Sequence, residues 1–141
     1  MTRRTLMLAM QALFALAFLG QASVQDARAQ STTVSISSPA AGSVLPLQSA
    51  SKTIEVKGSG TYAQSGYIIV YIYATNPQTG ARVGNALVYS GQPFGGFTTP
   101  SSYDITLNNQ ITTAGTYQIY VRVTDGGGNT VASSTAAVTA K

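Results

Sequence analysis

The stretch from residue 114 to 130, AGTYQIYVRVTDGGGNT, decides the fold of this chain. After the Ala114-Gly115 turn, apolar and polar side chains alternate along it without a slip, as in a strand with one buried side. The apolar side consists of Tyr117, Ile119, Val121 and Val123, and the opposite side of Gln118, Tyr120, Arg122 and Thr124. Residues 125–129, DGGGN, accept positive φ and predict a turn into a following strand.

The run from 67 to 74, YIIVYIYA, is the most β-prone segment of the chain. Ile68, Val70, Ile72 and Ala74 alternate with Tyr67, Ile69, Tyr71 and Tyr73. We assign the aliphatic set to the core, because each buried tyrosine would need a partner for its hydroxyl. The tyrosines of this strand are therefore predicted to point outward.

Shorter alternating segments recur about every ten residues from Ser31 onward, separated by turn residues. They predict further strands at 34–36, 53–57, 82–89, 103–107 and 130–140, with loops at 58–66 and 90–102. About seven short strands in ~110 residues is the count typical of a β-sandwich. The sequence therefore predicts an all-β fold.

Several segments carry a resemblance to a known family. Tyr117 opens its strand with an apolar residue two positions later, as in the tyrosine corner of immunoglobulin-like sandwiches. Together with 36–39 (ISSP), 54–58 (IEVKG) and 121–125 (VRVTD), it resembles the bacterial immunoglobulin-like domains of secreted and cell-surface proteins. The resemblance covers most of 34–138. It implies an immunoglobulin-like antiparallel β-sandwich that serves as an adhesion, spacer or carbohydrate-associated module.

The first 29 residues have the pattern of an export signal. Arg3 and Arg4 precede an apolar run from Leu6 to Leu19, and residues 27–29, ARA, offer a small-x-small cleavage site. A membrane anchor is the alternative, but the apolar run is shorter than the ~20 residues that a spanning helix needs. The twin arginines also resemble a twin-arginine signal. We predict a signal peptide at 1–29, a domain at 30–141 and a secreted or periplasmic location, with no membrane insertion after cleavage.

The composition argues against catalysis. The chain has no histidine and no cysteine, so the usual general base, thiol nucleophile and zinc ligands are missing. After the leader, five basic and three acidic side chains remain, a net charge of +2, scattered singly. We therefore expect no enzyme, no cofactor, no metal and no nucleic-acid partner. Asp125 and Asn129 could offer oxygens to calcium, but turn formation explains both more simply.

Two surfaces are candidates for ligand binding. The first is the outward side of the strands 67–74 and 117–124, which are neighbours in an immunoglobulin-like fold. Its predicted contact residues are Tyr67, Tyr71, Tyr73, Tyr120 and Arg122. The second is the end where the predicted loops meet, with Tyr62, Phe94 and Phe97. The alternative for this end is that the two phenylalanines fold back and close the core.

Two functions follow from these surfaces. The first is a secreted, non-enzymatic binding or adhesion module that recognises a glycan or a cell-surface protein. The second is a structural subunit of an extracellular or cell-surface assembly, in which an edge strand pairs with a neighbouring copy. The Ser/Thr-rich segment 130–140 has few charges and is the predicted edge.

Overall fold

A computed structural model describes residues 31–49, 53–108 and 111–141, with the backbone only for 88 and 89. The predicted leader at 1–29 lies outside these residues. Within them the chain is all-β, as the alternating patterns predict, with no helix long and apolar enough to cross a membrane. The strands are β1 (Thr33–Ser38), β2 (Val44–Leu45), β3 (Thr53–Thr75), β4 (Arg82–Asn108), β5 (Gly115–Asp125) and β6 (Thr130–Ala140).

The strands form one mixed, curled sheet in the order β1-β3-β5-β6-β2, with β4 pairing to β3. The first part of β3 pairs with β1, its second part pairs with β5, and β4 accompanies it along both parts. Every pair is antiparallel except β2 with β6, which is parallel. The buried side chains of the strands belong to a single apolar cluster, so the sheet curls around one core.

The two predicted loops at 58–66 and 90–102 are wrong, because both segments continue as strand. They pair with each other, with Tyr62 opposite Phe97 and Gly66 opposite Phe94. The register shifts twice between Gly60 and Ser65, which are the bulges that allow a long strand to bend. Four predicted strands therefore merge into β3 and β4. With the short β2 added, the described residues contain six strands, where the sequence predicts about seven.

The period-two patterns predict the centre of the core, although Thr124, which they assign to the opposite side, is buried as well. Ile68, Val70 and Ile72 of β3 are fully buried, as are Ile119, Val121 and Val123 of β5. Tyr117 at the start of β5 is also buried, and its hydroxyl donates to the carbonyl oxygen of Thr113 at 2.6 Å. This bond to the chain just upstream is the geometry predicted for a tyrosine corner.

The Tyr103 side chain of β4 passes over Gly58 of β3 and reaches the backbone of β1. Gly58 of β3 lies opposite both Ile36 of β1 and Tyr103 of β4. Because Gly58 has no side chain, the Tyr103 ring crosses it and donates its hydroxyl to the Ser35 carbonyl oxygen at 2.7 Å. Burial raises the pKa of Tyr103 to about 12, so the hydroxyl remains a donor well above neutral pH. A Cβ at Gly58 would overlap the Ser35 carbonyl oxygen.

The edge predicted at 130–140 is covered by another strand only in its later part. Close to its end, β6 pairs with β2, and Gly42 N donates to Ala137 O at 2.7 Å. This covers the later part of the predicted edge 130–140. By contrast, β4 pairs only with β3 among the described strands, so its outer edge is open over most of its length.

Candidate binding surface

The outward sides of β3 and β5 lie next to each other, as the sequence predicts. Tyr71 is directly opposite Tyr120, Ile69 opposite Arg122, and Tyr73 opposite Gln118. The alternation that buries Ile68, Val70 and Ile72 leaves these neighbours on the other side of the sheet. Their side chains are half-buried, because they pack against each other.

The tyrosine rings of this surface form a contiguous group. The ring centroids of Tyr71 and Tyr73 lie 6.1 Å apart with an interplanar angle of 20°, so the two rings stack along β3. Across the strands, the Tyr71 and Tyr120 centroids lie 5.9 Å apart at 35°. Aromatic pairs at such separations attract each other beyond the area they bury. The strand register thus assembles three predicted contact residues into one aromatic group.

Arg122 fixes the position of Tyr71. Its Nη2 donates to the Tyr71 hydroxyl at 2.7 Å, and its Nη1 donates to Thr130 Oγ1 at 3.2 Å. The guanidinium carbon lies 5.1 Å from the Tyr71 ring centroid, which is within range of a cation–π interaction. Arg122, a predicted contact residue, therefore holds a tyrosine of the same surface.

Arg82 is a member of this surface that the sequence analysis missed. Its guanidinium carbon lies 4.2 Å from the Tyr73 ring centroid and 4.7 Å from that of Tyr120. Its Nε donates to Gln118 Oε1 at 2.6 Å, which holds the guanidinium over both rings. Arg82 begins β4 opposite Thr75, directly after the turn at 76–81. The sequence predicts a strand at 82–89, but no local pattern indicates that its first residue reaches the tyrosines. We call Tyr71, Tyr73, Tyr120, Arg82 and Arg122 the tyrosine–arginine face.

Tyr67 and the outward residues of β6 border this face. Tyr67 is on the same side of β3 and is 52% exposed, but no ring contact joins it to the other tyrosines in the described part of the chain. On β6, Ser133 lies opposite Arg122 and Thr135 opposite Tyr120. The aromatic group is therefore flanked by small side chains that carry hydroxyl groups.

The carboxylates of the described residues are engaged elsewhere. Lys57 Nζ lies 2.6 Å from Glu55 Oε2 and 3.2 Å from Asp104 Oδ2. Hydrogen bonds to these two carboxylates raise the pKa of Lys57. Asp125 accepts the amides of Gly127 and Asn129 at 2.9 and 2.8 Å, which completes the predicted turn. Hydrogen bonds from Asn129 lower the pKa of Asp125.

At the second candidate surface, the structure shows the alternative arrangement, in which the phenylalanines fold back and close the core. Tyr62 and Phe94 are buried in the core cluster, and Phe97 packs against it. The centroids of Phe94 and Phe97 lie 5.2 Å apart in an edge-to-face arrangement. What remains at this end is an open hollow of about 310 Å³, lined by residues such as Ser65, Gly95 and the two phenylalanines. The rings close the end of the core and do not project as a contact surface.

No protein-family model matches this chain, and no curated protein matches its sequence. Among solved structures, it is similar to the crystal structure of a β-glucosidase from Kluyveromyces marxianus in complex with glucose. That similarity has a TM-score of 0.38 and 13% sequence identity, over 76% of this chain and 13% of that chain. The chain thus spans 13% of the enzyme's length, and a likeness this low carries no conclusion about its fold or activity.

Proposed function

We propose that this chain is an exported, non-enzymatic binding module that holds a glycan or a cell-surface protein against its tyrosine–arginine face. One observation carries the proposal: three tyrosines and two arginines meet on the outward side of a sheet whose other side is the core. Stacked aromatic rings provide a large contact area at low entropic cost, because each ring has few rotatable bonds. A contiguous patch of this kind is typical of interaction sites.

An immunoglobulin-like sandwich is the fold class that we propose for the domain. Three features support it. The first part of β3 lies between β1 and the second part of β4, whereas its second part lies between β5 and the first part of β4. Such a change of neighbours is typical of a strand that passes from one layer of a sandwich to the other at a bend. The second feature is the hydrogen bond from the Tyr117 hydroxyl to the Thr113 carbonyl oxygen, and the third is the apolar alternation of β5.

Replacement of Tyr73 by alanine tests the proposal. Tyr73 stacks on Tyr71 and supports Arg82, but it lies outside the core, so we expect its loss to lower the free energy of unfolding by only about 1 kcal/mol. Binding should weaken more, by about 2 kcal/mol or more, because aromatic anchors dominate interfaces. The measurements are chemical denaturation, and retention on glycan arrays and on the surface of the producing cell.

The matched control for this experiment is Val44→Ala. Val44 of β2 is 55% exposed and lies outside the tyrosine–arginine face, so its truncation also removes exposed apolar surface. We expect this variant to bind as the parent does. If Tyr73→Ala folds and is retained as well as the parent, the face is ordinary strand surface and the proposal is wrong.

A structural subunit of an extracellular assembly is the second candidate function. The open edge of β4 favours it, because residues 83–103 contain no charged side chain and Val83 and Leu87 are exposed. Natural proteins usually protect such edges with charges or prolines. Here Pro93 and Pro100 protect only the later part of β4. The segment before Pro93 is therefore the candidate for pairing with another copy.

A further inference from the structure

The two arginines of the tyrosine–arginine face have no carboxylate partner among the described residues. The ion pairs found there both involve Lys57, with Glu55 and Asp104. The remaining acidic side chain of the described residues, Asp125, accepts hydrogen bonds within its own turn. The charges of Arg82 and Arg122 are thus balanced by aromatic rings and neutral oxygens alone. A face with this imbalance attracts anions.

Contacts within the protein fix the orientation of the Arg82 guanidinium. Gln118 binds its Nε, and the rings of Tyr73 and Tyr120 lie beneath its guanidinium, so its orientation is set before any ligand arrives. In the described part of the chain, its two terminal nitrogens donate to no protein acceptor. A guanidinium offers parallel N–H groups that match the oxygens of a carboxylate or a sulfate. Pre-organisation of this kind lowers the entropic cost of binding.

The surroundings of Arg82 match a sugar polymer better than a peptide. The rings of Tyr71 and Tyr73, inclined by 20° with their centroids 6.1 Å apart, give apolar surface beside the arginines, against which a pyranose ring can pack. Ser133 and Thr135 of β6 add exposed hydroxyls beside Arg122 and Tyr120, and these can exchange hydrogen bonds with sugar hydroxyls. The face runs along two neighbouring strands on the outward side of the sheet, which suits an extended chain of similar rings.

We infer that the ligand of the tyrosine–arginine face is an acidic polysaccharide, with sugar rings stacked on the tyrosines and a carboxylate or sulfate held by Arg82. This inference rests on the proposed function and names the ligand class for the same site. Neutral glycans would use the rings and leave Arg82 without an anion. Acidic peptides would supply the anion and leave the aromatic rings without a sugar ring packed against them.

Binding of four polymers to the purified protein tests this inference. Dextran sulfate and dextran share a sugar backbone and differ in charge, polygalacturonate carries carboxylates in place of sulfates, and polyglutamate carries carboxylates without sugar rings. We expect binding to at least one of the two acidic glycans, and at least tenfold weaker binding to dextran and polyglutamate. Added salt should weaken binding, because exposed charge pairs are screened.

Arg82→Gln is the variant that should reduce the preference for acidic over neutral glycans. It removes the charge and keeps a polar side chain, so affinity for the acidic glycan should fall roughly tenfold or more, the loss typical of a hydrogen bond to a charged group. Arg82→Lys keeps the charge but loses the planar guanidinium, so we expect its affinity for the acidic glycan to lie between those of the parent and of Arg82→Gln. Lys57→Gln is the control, because it removes an equal charge outside the face, and its binding should equal the parent's.

The outcomes separate this inference from the proposed function. Equal binding of dextran and dextran sulfate, weakened by Tyr73→Ala, would overturn the acidic ligand and leave the binding module standing. Polyglutamate binding as tight as that of the acidic glycans would overturn the sugar requirement. Acidic-glycan binding that is insensitive to both Arg82→Gln and Tyr73→Ala would reject the face itself, and with it both proposals.

Discussion

Tyr117 shows how one hydroxyl fixes the entry of a strand. Its bond to the Thr113 carbonyl ties the start of β5 to the chain four residues upstream, while its ring belongs to the core. Tyr117→Phe keeps the ring and removes the bond, so we expect the free energy of unfolding to fall by about 1 kcal/mol. Chemical denaturation measures this change, and ligand binding should be the same as in the parent.

Tyr67→Phe is the control for Tyr117→Phe, because it removes the same hydroxyl group from an exposed tyrosine. Tyr67 is exposed, and its hydroxyl makes no hydrogen bond within the residues that the structure describes. Removing that hydroxyl should change stability by less than about 0.5 kcal/mol. Equal denaturation midpoints for Tyr117→Phe and the parent would show that the corner bond does not stabilise the fold.

β4 is the element whose edge decides between the two candidate functions. If its uncharged segment before Pro93 pairs with another copy, association should increase with concentration, and Leu87→Lys should abolish it because a charge in the middle of the edge opposes pairing. Size-exclusion chromatography with light scattering over a range of concentrations measures this. If the chain is an assembly subunit, the parent should associate and Leu87→Lys should remain a monomer.

Val44→Lys controls for the added charge, because Val44 is equally exposed but lies on β2, away from the β4 edge. It should associate as the parent does. A parent chain that remains monomeric at every concentration rules out assembly through β4 and leaves the binding proposal untouched.

At the scale of the whole molecule, the proposed function requires export and loss of the leader. Protein recovered from outside the cytoplasm should have the intact mass of a chain that begins at Gln30, because residues 27–29 form the small-x-small pattern that signal peptidases recognise. Ala29→Phe breaks this pattern and should keep the leader attached. Full-length parent chain in the membrane fraction would support the anchor alternative instead.

The sequence by itself determined which side of each central strand is buried. Side chains alternate with a period of two in an extended chain, so the apolar positions of 67–74 and 117–124 specify the core without knowledge of any partner. The same alternation turned Tyr71, Tyr73 and Tyr120 outward, whereas the expectation that their strands are neighbours came from the resemblance to immunoglobulin-like domains. Tyr117 was recognisable because it opens an alternating strand with an apolar residue two positions later, which is the pattern of a tyrosine corner.

Only the tertiary structure decided how far the strands extend and which cation joins the tyrosines. Glycine and proline mark loops and bulges alike, and the difference between the two depends on a partner strand that the local sequence does not contain. For this reason 58–66 and 90–102 read as loops, although they pair with each other inside β3 and β4. Arg82 reaches Tyr73 and Tyr120 because pairing brings the starts of β4 and β5 together beside β3, which is a non-local property of the fold.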